Sequence, residues 1–413
     1  MRIYQKVFGW LVDRRNSWWP VRLTPAGWFV LAGMMLSSLS LVSAEIPLYQ
    51  LFAALLTLFV LSFGIGLLFI PRVAVTGRFP AKATAGYQIS GKFKVTNRSR
   101  RTIYDVSVGL FRLPEPVKLI STPKTIELLG PGESSEVTIE LRPERRGLFH
   151  LPDLSAYTTF PFNLFRWGGH RHRLGSLLVL PSFHPLASVE LSPGTSYQPG
   201  GVALSSHVGE SPEYIGSREY LPGESVRKFD YRAWARLGVP AVREFREEYY
   251  SRVGLTLDTF IPSSARRKRR YPLQASVRLA ASVAEALSRG ETLINVFAAG
   301  PELYTFEAGR HTAHLENVLE ILACIDACRE SPYDRLGAAI ADQLDRISAM
   351  VCIFLDWDHP QRDLARMVIE SGCHLKLIIV RDGDSRLPLD ESEFHDIQVI
   401  TPASILKGKV QAI

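Results

Sequence analysis

The sequence predicts a multi-domain membrane protein: a two-helix transmembrane hairpin, then a β-sandwich, then a doubly wound α/β domain. Three observations predict it. A nearly uncharged stretch lies close to the N-terminus, period-two alternation follows it, and strand and helix patterns alternate through the last part. The 413 residues include 48 Lys plus Arg against 41 Asp plus Glu, a net charge of +7, with 46% hydrophobic and 22% charged residues. That balance excludes a disordered chain and a protein that coats nucleic acid. Cys324, Cys328, Cys352 and Cys373 are too few for a disulfide scaffold and sit on apolar stretches, so they read as buried, reduced thiols. Cys324 and Cys328 lack the further His or Cys of a zinc finger.

Residues 1–23 read as a cytoplasmic N-terminal segment and residues 24–71 as two transmembrane helices. Between Arg22 and Arg72 the only charge is Glu45. The uncharged runs on its two sides are about 22 and about 26 residues, each long enough to cross a bilayer. The first span is expected from about Ala26 to Leu41 and the second from about Leu48 to Ile70, with Pro47 where a missing N–H costs little. Arg2, Lys6, Arg14, Arg15 and Arg22 precede the spans, Arg72, Arg78 and Lys82 follow them, and the connection has no Lys or Arg. The positive-inside rule then places both ends in the cytoplasm, with Trp18, Trp19 and Trp28 at the interface. Val42-Ser43-Ala44 resembles a signal-peptide cleavage site, but the long basic lead and the second span argue against cleavage.

Residues 72–185 are expected to form the β-sandwich. Tyr87 to Thr96, Tyr104 to Phe111 and Ser135 to Leu141 alternate apolar and polar residues, and Asn97-Arg98-Ser99, Pro131-Gly132 and Arg145-Arg146-Gly147 supply turns. His170 and His172, in a Gly/His/Arg run, read as an exposed hairpin between strands rather than a metal site.

Residues 186–250 hold a linker and the most specific text. Arg218-Glu219-Tyr220-Leu221-Pro222-Gly223-Glu224 runs on to Arg227, Asp230, Arg232 and Arg236, then Glu244-Phe245. Pro222-Gly223 reads as a tight turn, with Glu224 or Ser225 capping a helix that continues towards Arg236. Closely alternating charges favour an ion-pair lattice clamping the linker onto the next domain, with a partner-binding surface as the second reading. An acid/base or metal site from Glu219, Glu224 and Asp230 is the third, since neighbouring arginines keep those carboxylates ionised.

This block resembles the bacterial family called domain of unknown function 58, whose signature has the form R-E-Y-x-P-G-D-x-x-R-x-I-D-W-x-A-x-A-R followed by V-K-E-F-E-x-E. Matching positions are Arg218, Glu219, Tyr220, Pro222, Gly223, Arg227, Asp230, Ala233, Ala235, Arg236, Glu244, Phe245 and Glu248. Glu224, Phe229, Tyr231 and Arg243 are conservative departures. Leu23-Thr24-Pro25-Ala26-Gly27, Arg145-Arg146-Gly147 and Phe160-Pro161-Phe162-Asn163-Leu164-Phe165 also look like that family, so the resemblance runs along nearly the whole chain. It implies a membrane-anchored protein with a von Willebrand factor A-like domain, encoded beside a MoxR-type AAA+ ATPase.

Residues 251–413 alternate strand and helix: strands at Arg252–Asp258, Thr292–Ala298, Met350–Leu355, Leu375–Val380 and Ile397–Thr401, helices at Leu273–Leu287, His314–Cys328 and Gln361–Ser371. That order predicts the doubly wound sheet and fits a von Willebrand factor A-like fold. Such domains often hold Mg²⁺ on a D-x-S-x-S loop and a later Asp. Asp258 and Asp356 stand at the two carboxylate positions, but Phe260 and Pro262 replace the hydroxyls, with Ser263 and Ser264 displaced, so the metal site is degenerate and no cofactor is expected. Arg266-Arg267-Lys268-Arg269-Arg270 reads as a solvated basic loop that can also meet anionic lipid or, preferred over lipid, an acidic group on a protein partner.

No G-x-x-x-x-G-K-[ST] or G-x-S-x-G occurs, so nucleotide and esterase chemistry lack their usual elements. The expected function is a non-enzymatic, membrane-anchored adaptor binding a protein partner, by resemblance a MoxR-type AAA+ ATPase. The alternative is a membrane-bound, metal-dependent enzyme or metal-regulated module.

Overall fold

The computed structural model describes residues 21–38, 46–121, 124–191, 214–221, 229–245, 252–261, 266–289, 293–299, 303–306, 314–383, 385, 387–389, 393–394 and 396–413. Arg2, Lys6, Arg14, Arg15, Trp18, Trp19, Leu41, Val42-Ser43-Ala44 and Glu45 lie outside the described residues. The chain separates into two compact units, Met1–Ser182 and Phe183–Ile413.

In the first unit a short strand, β1 (Val21–Leu23), leads into helix α1 (Pro25–Ser38). Pro25 suits the first helical turn, where its missing N–H costs nothing, and the Thr24 hydroxyl accepts the Gly27 N–H at 3.0 Å. Helix α2 (Ile46–Leu68) packs beside it, with Gly33 of α1 facing Leu55. Within α2, Tyr49–Leu68 is long and apolar enough to cross a membrane. The 14 residues of α1 reach only about 21 Å, less than a bilayer core of about 30 Å. The expected first span therefore ends, among the described residues, at Ser38.

The strands that follow are β2 (Val73–Arg78), β3 (Lys82–Thr84), β4 (Ile89–Asn97), β5 (Ile103–Leu110), β6 (Val117–Leu119), β7 (Ile126–Leu129), β8 (Ser134–Pro143), β9 (Gly147–His150), β10 (Leu154–Thr158), β11 (Phe165–His172) and β12 (Ser176–Leu180). They form sheets ordered β1-β11-β10-β5-β7, β2-β4-β8-β6 and β3-β12-β9. Alternation decides which side chains turn inward: Phe93 and Val95 from β4, Val137, Ile139 and Leu141 from β8, and Val106 and Val108 from β5 share one core. Asn97, buried at the end of β4, ties two turns together, donating to the Leu129 carbonyl at 2.9 Å and accepting the Ser99 N–H at 2.8 Å. His172 departs from the expected exposed hairpin. It belongs to β11, is half-buried, and its imidazole Nε2 lies 2.8 Å from the Gly77 carbonyl, because the β-ladder extends through the Gly/His/Arg run.

In the second unit β13 (Tyr214–Glu219) pairs antiparallel with β14 (Ala241–Phe245), and helix α3 (Tyr231–Leu237) lies between them in sequence. Beyond come β15 (Arg252–Leu257), α4 (Arg266–Arg289), β16 (Leu293–Ala299), β17 (Leu303–Phe306), α5 (His314–Cys324), α6 (Tyr333–Ala341), β18 (Ala349–Phe354), α7 (His359–Glu370), β19 (His374–Val380), β20 (Ile397–Ile400) and α8 (Pro402–Leu406). The sheet order is β17-β16-β15-β18-β19-β20, all parallel except β17, which runs antiparallel to β16. Central strands β15, β18 and β19 are buried along almost their whole length, as strands covered on both faces must be. Met350, Cys352 and Phe354 of β18 pack with α6 and α7, and α4 packs against α5 and α8. Residues at the start of the expected linker belong to this unit: Ala187 N donates to Gln411 O and Glu190 N to Ile413 O, each at 2.7 Å.

Candidate functional site

Strand order makes the C-terminal ends of β15 and β18 a topological switch point, because the connections leave in opposite directions from these neighbours. Asp258 and Asp356 both sit at this edge and are buried. Each Asp258 carboxylate oxygen accepts a backbone N–H: Oδ1 from Phe260 at 2.8 Å and Oδ2 from Leu355 at 3.0 Å. Asp356 accepts the Trp357 N–H at 3.0 Å and is ion-paired to Arg381, the residue that follows β19. The two carboxylates thus brace the loops that follow β15 and β18.

Metal binding fits this donor set poorly. Phe260 stands where a hydroxyl ligand would, packs against the core, and is flanked by Ile261 and Cys328 backbone bonds of 2.9 Å that hold the loop closed. A divalent cation would have to displace both the bracing N–H groups and the Arg381 guanidinium. Among the described residues no group of three or more His, Cys, Asp or Glu is placed to hold a metal ion. Pro262, Ser263 and Ser264 lie outside the described residues. Tyr333 is buried next to Asp258, Gln361 and Asp356, and its hydroxyl closes no well-formed hydrogen bond. Burial, reinforced by the Asp258 charge, pushes this phenol well above its ordinary pKa, so it stays neutral. Arg381 and Tyr333 were not legible as members of this cluster from sequence. The usable signal was Arg381's place directly after an apolar strand.

The signature block divides differently from the sequence expectation. Its helix begins at Tyr231, not near Glu224, and its cap is Asp230. The Asp230 carboxylate accepts the Arg232 and Ala233 N–H groups, each at 3.1 Å, and the Ser217 hydroxyl at 2.6 Å. Those bonds, with Ser217 first, hold the carboxyl below its ordinary pKa. Asp230 therefore joins α3 to β13, which is a structural duty. Arg218, Glu219, Arg232 and Arg236 are exposed. Arg227, Pro222, Gly223, Glu224, Ser225 and Glu248 lie outside the described residues, and of Glu244 only the backbone pairing opposite Gly216 is described.

An aromatic cluster, missed in the sequence, fills the block. Phe229 meets Tyr220 at 5.0 Å and Trp234 at 5.5 Å edge-to-face, and Tyr231 stacks on Trp234 at 6.4 Å. Around it Leu221, Tyr231, Leu237 and Val239 are exposed.

The run Arg266, Arg267, Lys268, Arg269 and Arg270 corrects the loop expectation, since its backbone forms the opening turns of α4. The apolar residues from Leu273 onward supply a buried helical face that extends the helix backwards through the basic run. Pro272, inside the helix, removes the N–H that would bond the Lys268 carbonyl.

No curated protein matches the chain. Among solved structures, the CARDB domain of a Pyrococcus furiosus protein, described in complex with di-metal ions, is 14% identical with a TM-score of 0.18, covering 28% of this chain and 97% of that one. A FixG-related protein from Vibrio parahaemolyticus is 12% identical, TM-score 0.18, covering 25% of this chain and 94% of that one. The VesB protease of Vibrio cholerae is 13% identical, TM-score 0.19, covering 29% of this chain and 35% of that one. At such scores these likenesses carry no argument. The resemblance read along nearly the whole chain is matched over the signature block and most of the six-stranded sheet: residues 216–396 fit the family described as Protein of unknown function DUF58.

Proposed function

We propose that this chain is a non-enzymatic, membrane-anchored adaptor whose C-terminal part, a von Willebrand factor A-like domain, docks a protein partner, a MoxR-type AAA+ ATPase. The observation that carries the reading is the exposed patch of Leu221, Tyr231, Leu237 and Val239 around the Tyr220–Phe229–Trp234 cluster, with Arg218, Arg232 and Arg236 exposed on the same block. Aromatic anchors with an arginine rim are the composition of binding hot spots. A second support is the basic opening of α4. Five cations at the positive end of a helix dipole cost stability rather than adding it, which suits a run of residues kept for an acidic partner. The six-stranded order with one antiparallel strand at β17 favours the von Willebrand factor A-like assignment. Tied-up carboxylates at the switch point favour binding over catalysis.

The apolar α2 supports anchoring in a membrane, which we take to be the bacterial inner membrane with the folded parts cytoplasmic. β1 precedes α1 and pairs with β11, and β2 follows α2 in the same unit, so a crossing by α2 requires the chain to return through the whole uncharged run that holds α1, not through α1 alone.

The test is affinity capture of the detergent-extracted full chain as wild type, as a Tyr231→Ser, Leu237→Ser variant, and with Arg266 to Arg270 reversed in charge. An AAA+ ATPase recovered with wild type and reduced more than tenfold with either variant is expected. Recovery of no ATPase would move weight to the metal-dependent alternative, whose signature is a Mg²⁺-induced rise in melting temperature lost on Asp258→Ala with Asp356→Ala.

A further inference from the structure

The foot of α1 carries a concentration of positive charge that the fold does not need. In the β1–β11 ladder Arg22 stands directly opposite Arg166. Side chains so placed are about 5 Å apart at Cβ, and like charges there destabilise the pair. The irregularity in the β10–β11 register, where Ala156 faces His170 but Thr158 faces Trp167, returns Arg171 to the same outer face. On that face the Arg166 guanidinium lies over the rings of Tyr157 at 4.4 Å and Phe111 at 4.9 Å, which fixes its direction, and its Nε is buried without a hydrogen-bond partner. Burial, and then the nearby Arg166, Arg112 and Arg171, lower the pKa of Arg22, so these cations feel one another. Among the described residues none of Arg22, Arg166 and Arg171 is ion-paired to a carboxylate. The opposite face of the same two strands carries Val21, Leu23, Phe165 and Trp167 against α1 and α2.

We propose that Arg22, Arg166 and Arg171 bind the phosphate of an anionic phospholipid headgroup at the foot of α1. This rests on the membrane-anchored reading, and it goes beyond it by assigning a lipid class and a built site. The source is a headgroup, not free phosphate, because of where the cluster stands. Arg22 is three residues before the first helical residue of α1, and Trp28 and the 70% exposed Phe29 follow within that helix, which sets the arginines at the boundary between apolar helix and polar sheet. Guanidinium groups offer the paired donors that a phosphate takes, and a doubly occupied cross-strand repulsion is relieved when an anion sits between them. A local rule broken without internal compensation is the mark of a functional position.

The experiment melts the detergent-purified full chain during titration with dioctanoyl-phosphatidylglycerol, with dioctanoyl-phosphatidylcholine and with inorganic phosphate. A saturable upward shift with the glycerol lipid alone is expected. Arg22→Gln with Arg171→Gln should weaken the apparent affinity roughly fivefold per arginine, while the lipid-free melting temperature holds or rises because the repulsion is gone. Arg22→Lys with Arg171→Lys should retain most of the response, which separates lost charge from a damaged fold. An equal shift with phosphatidylcholine or with inorganic phosphate, or an undiminished shift in the Gln variant, overturns the proposal. Failure of the anchored reading would show elsewhere, as release of the wild-type chain from membranes by alkaline extraction.

Discussion

Gly66 and Gly27 show how single residues join the helices to the β-rich part. A Cβ at Gly66 would run into the Trp167 indole, and one at Gly27 into the Leu164 carbonyl and the Leu23 side chain. Gly66→Ala is therefore expected to destabilise the first unit by about 1–3 kcal/mol through overpacking, read as a lower melting temperature, whereas Gly64→Ala, which meets nothing, should hold or raise it. Asp230 gives a residue-scale pH dependence. Its folded-state pKa lies below the ordinary 3.8, so the carboxylate's contribution is fully present above that value and is lost as pH falls through it. Protection of the Arg232 and Ala233 amides, taken against the intrinsic exchange rate at each pH, should fall below about pH 4, and Asp230→Ala should show the lower protection already at neutral pH. Unchanged exchange in that variant would remove the cap from the account of this block.

Elements in the second unit are held in register by the switch-point cluster. Arg381 follows β19 and pairs with Asp356 after β18, so one ion pair spans two adjacent parallel strands at their C-terminal ends. Asp356 is only 3% exposed at its side chain and Arg381 20%. Arg381→Met should cost about 3 kcal/mol by leaving the carboxylate without its cation, and Arg381→Met with Asp356→Leu should recover much of that loss. A denaturant titration of both variants decides it, and equal stabilities would show that the pair does not brace these strands. Thr24 performs a similar duty in the first unit. It caps α1 and bonds the carbonyls of Asn163 and Leu164, while Phe69 beyond α2 packs on Phe160 at 5.2 Å. The Leu23–Gly27 and Phe160–Phe165 texts, far apart in sequence, are thus two halves of one joint. Asn163 takes a φ of 52°, a left-handed conformation that Asn tolerates better than most residues.

Across the whole molecule the thiols report both folding and sidedness. The expectation of buried thiols holds for Cys352 and Cys373 but not for Cys324, which is exposed at the end of α5, or Cys328, which is half-buried. Burial raises Cys352 to about 12 and Cys373 to about 11, so both stay protonated and unreactive near neutral pH. A thiol reagent on the native chain should modify Cys324 rapidly and Cys352 and Cys373 only after unfolding. The proposed cytoplasmic placement of the folded parts predicts that a membrane-impermeant reagent leaves Cys324 unlabelled in intact cells and labels it after permeabilisation. Labelling from outside would invert the topology.

Local properties were legible from the sequence because neighbours along the chain determine them. Uncharged length marked α2, period-two alternation marked strands such as β4 and β8, and short, mainly apolar runs marked β15, β18 and β19. The specific text at Arg218 to Arg236 marked a block that the family match also covers. Its aromatic cluster, exposed at Tyr231, was not legible in the same way, since exposure depends on what folds over a residue and not on its spacing. Tertiary structure alone decided which carboxylates are engaged, with Asp356 held by Arg381 and Asp258 by the Phe260 and Leu355 N–H groups. It also decided that the basic run opens a helix, that Arg22 faces Arg166, and that Thr24 meets Asn163. Each of those pairings depends on contacts between residues distant in sequence, and such contacts leave no periodic trace in a single chain.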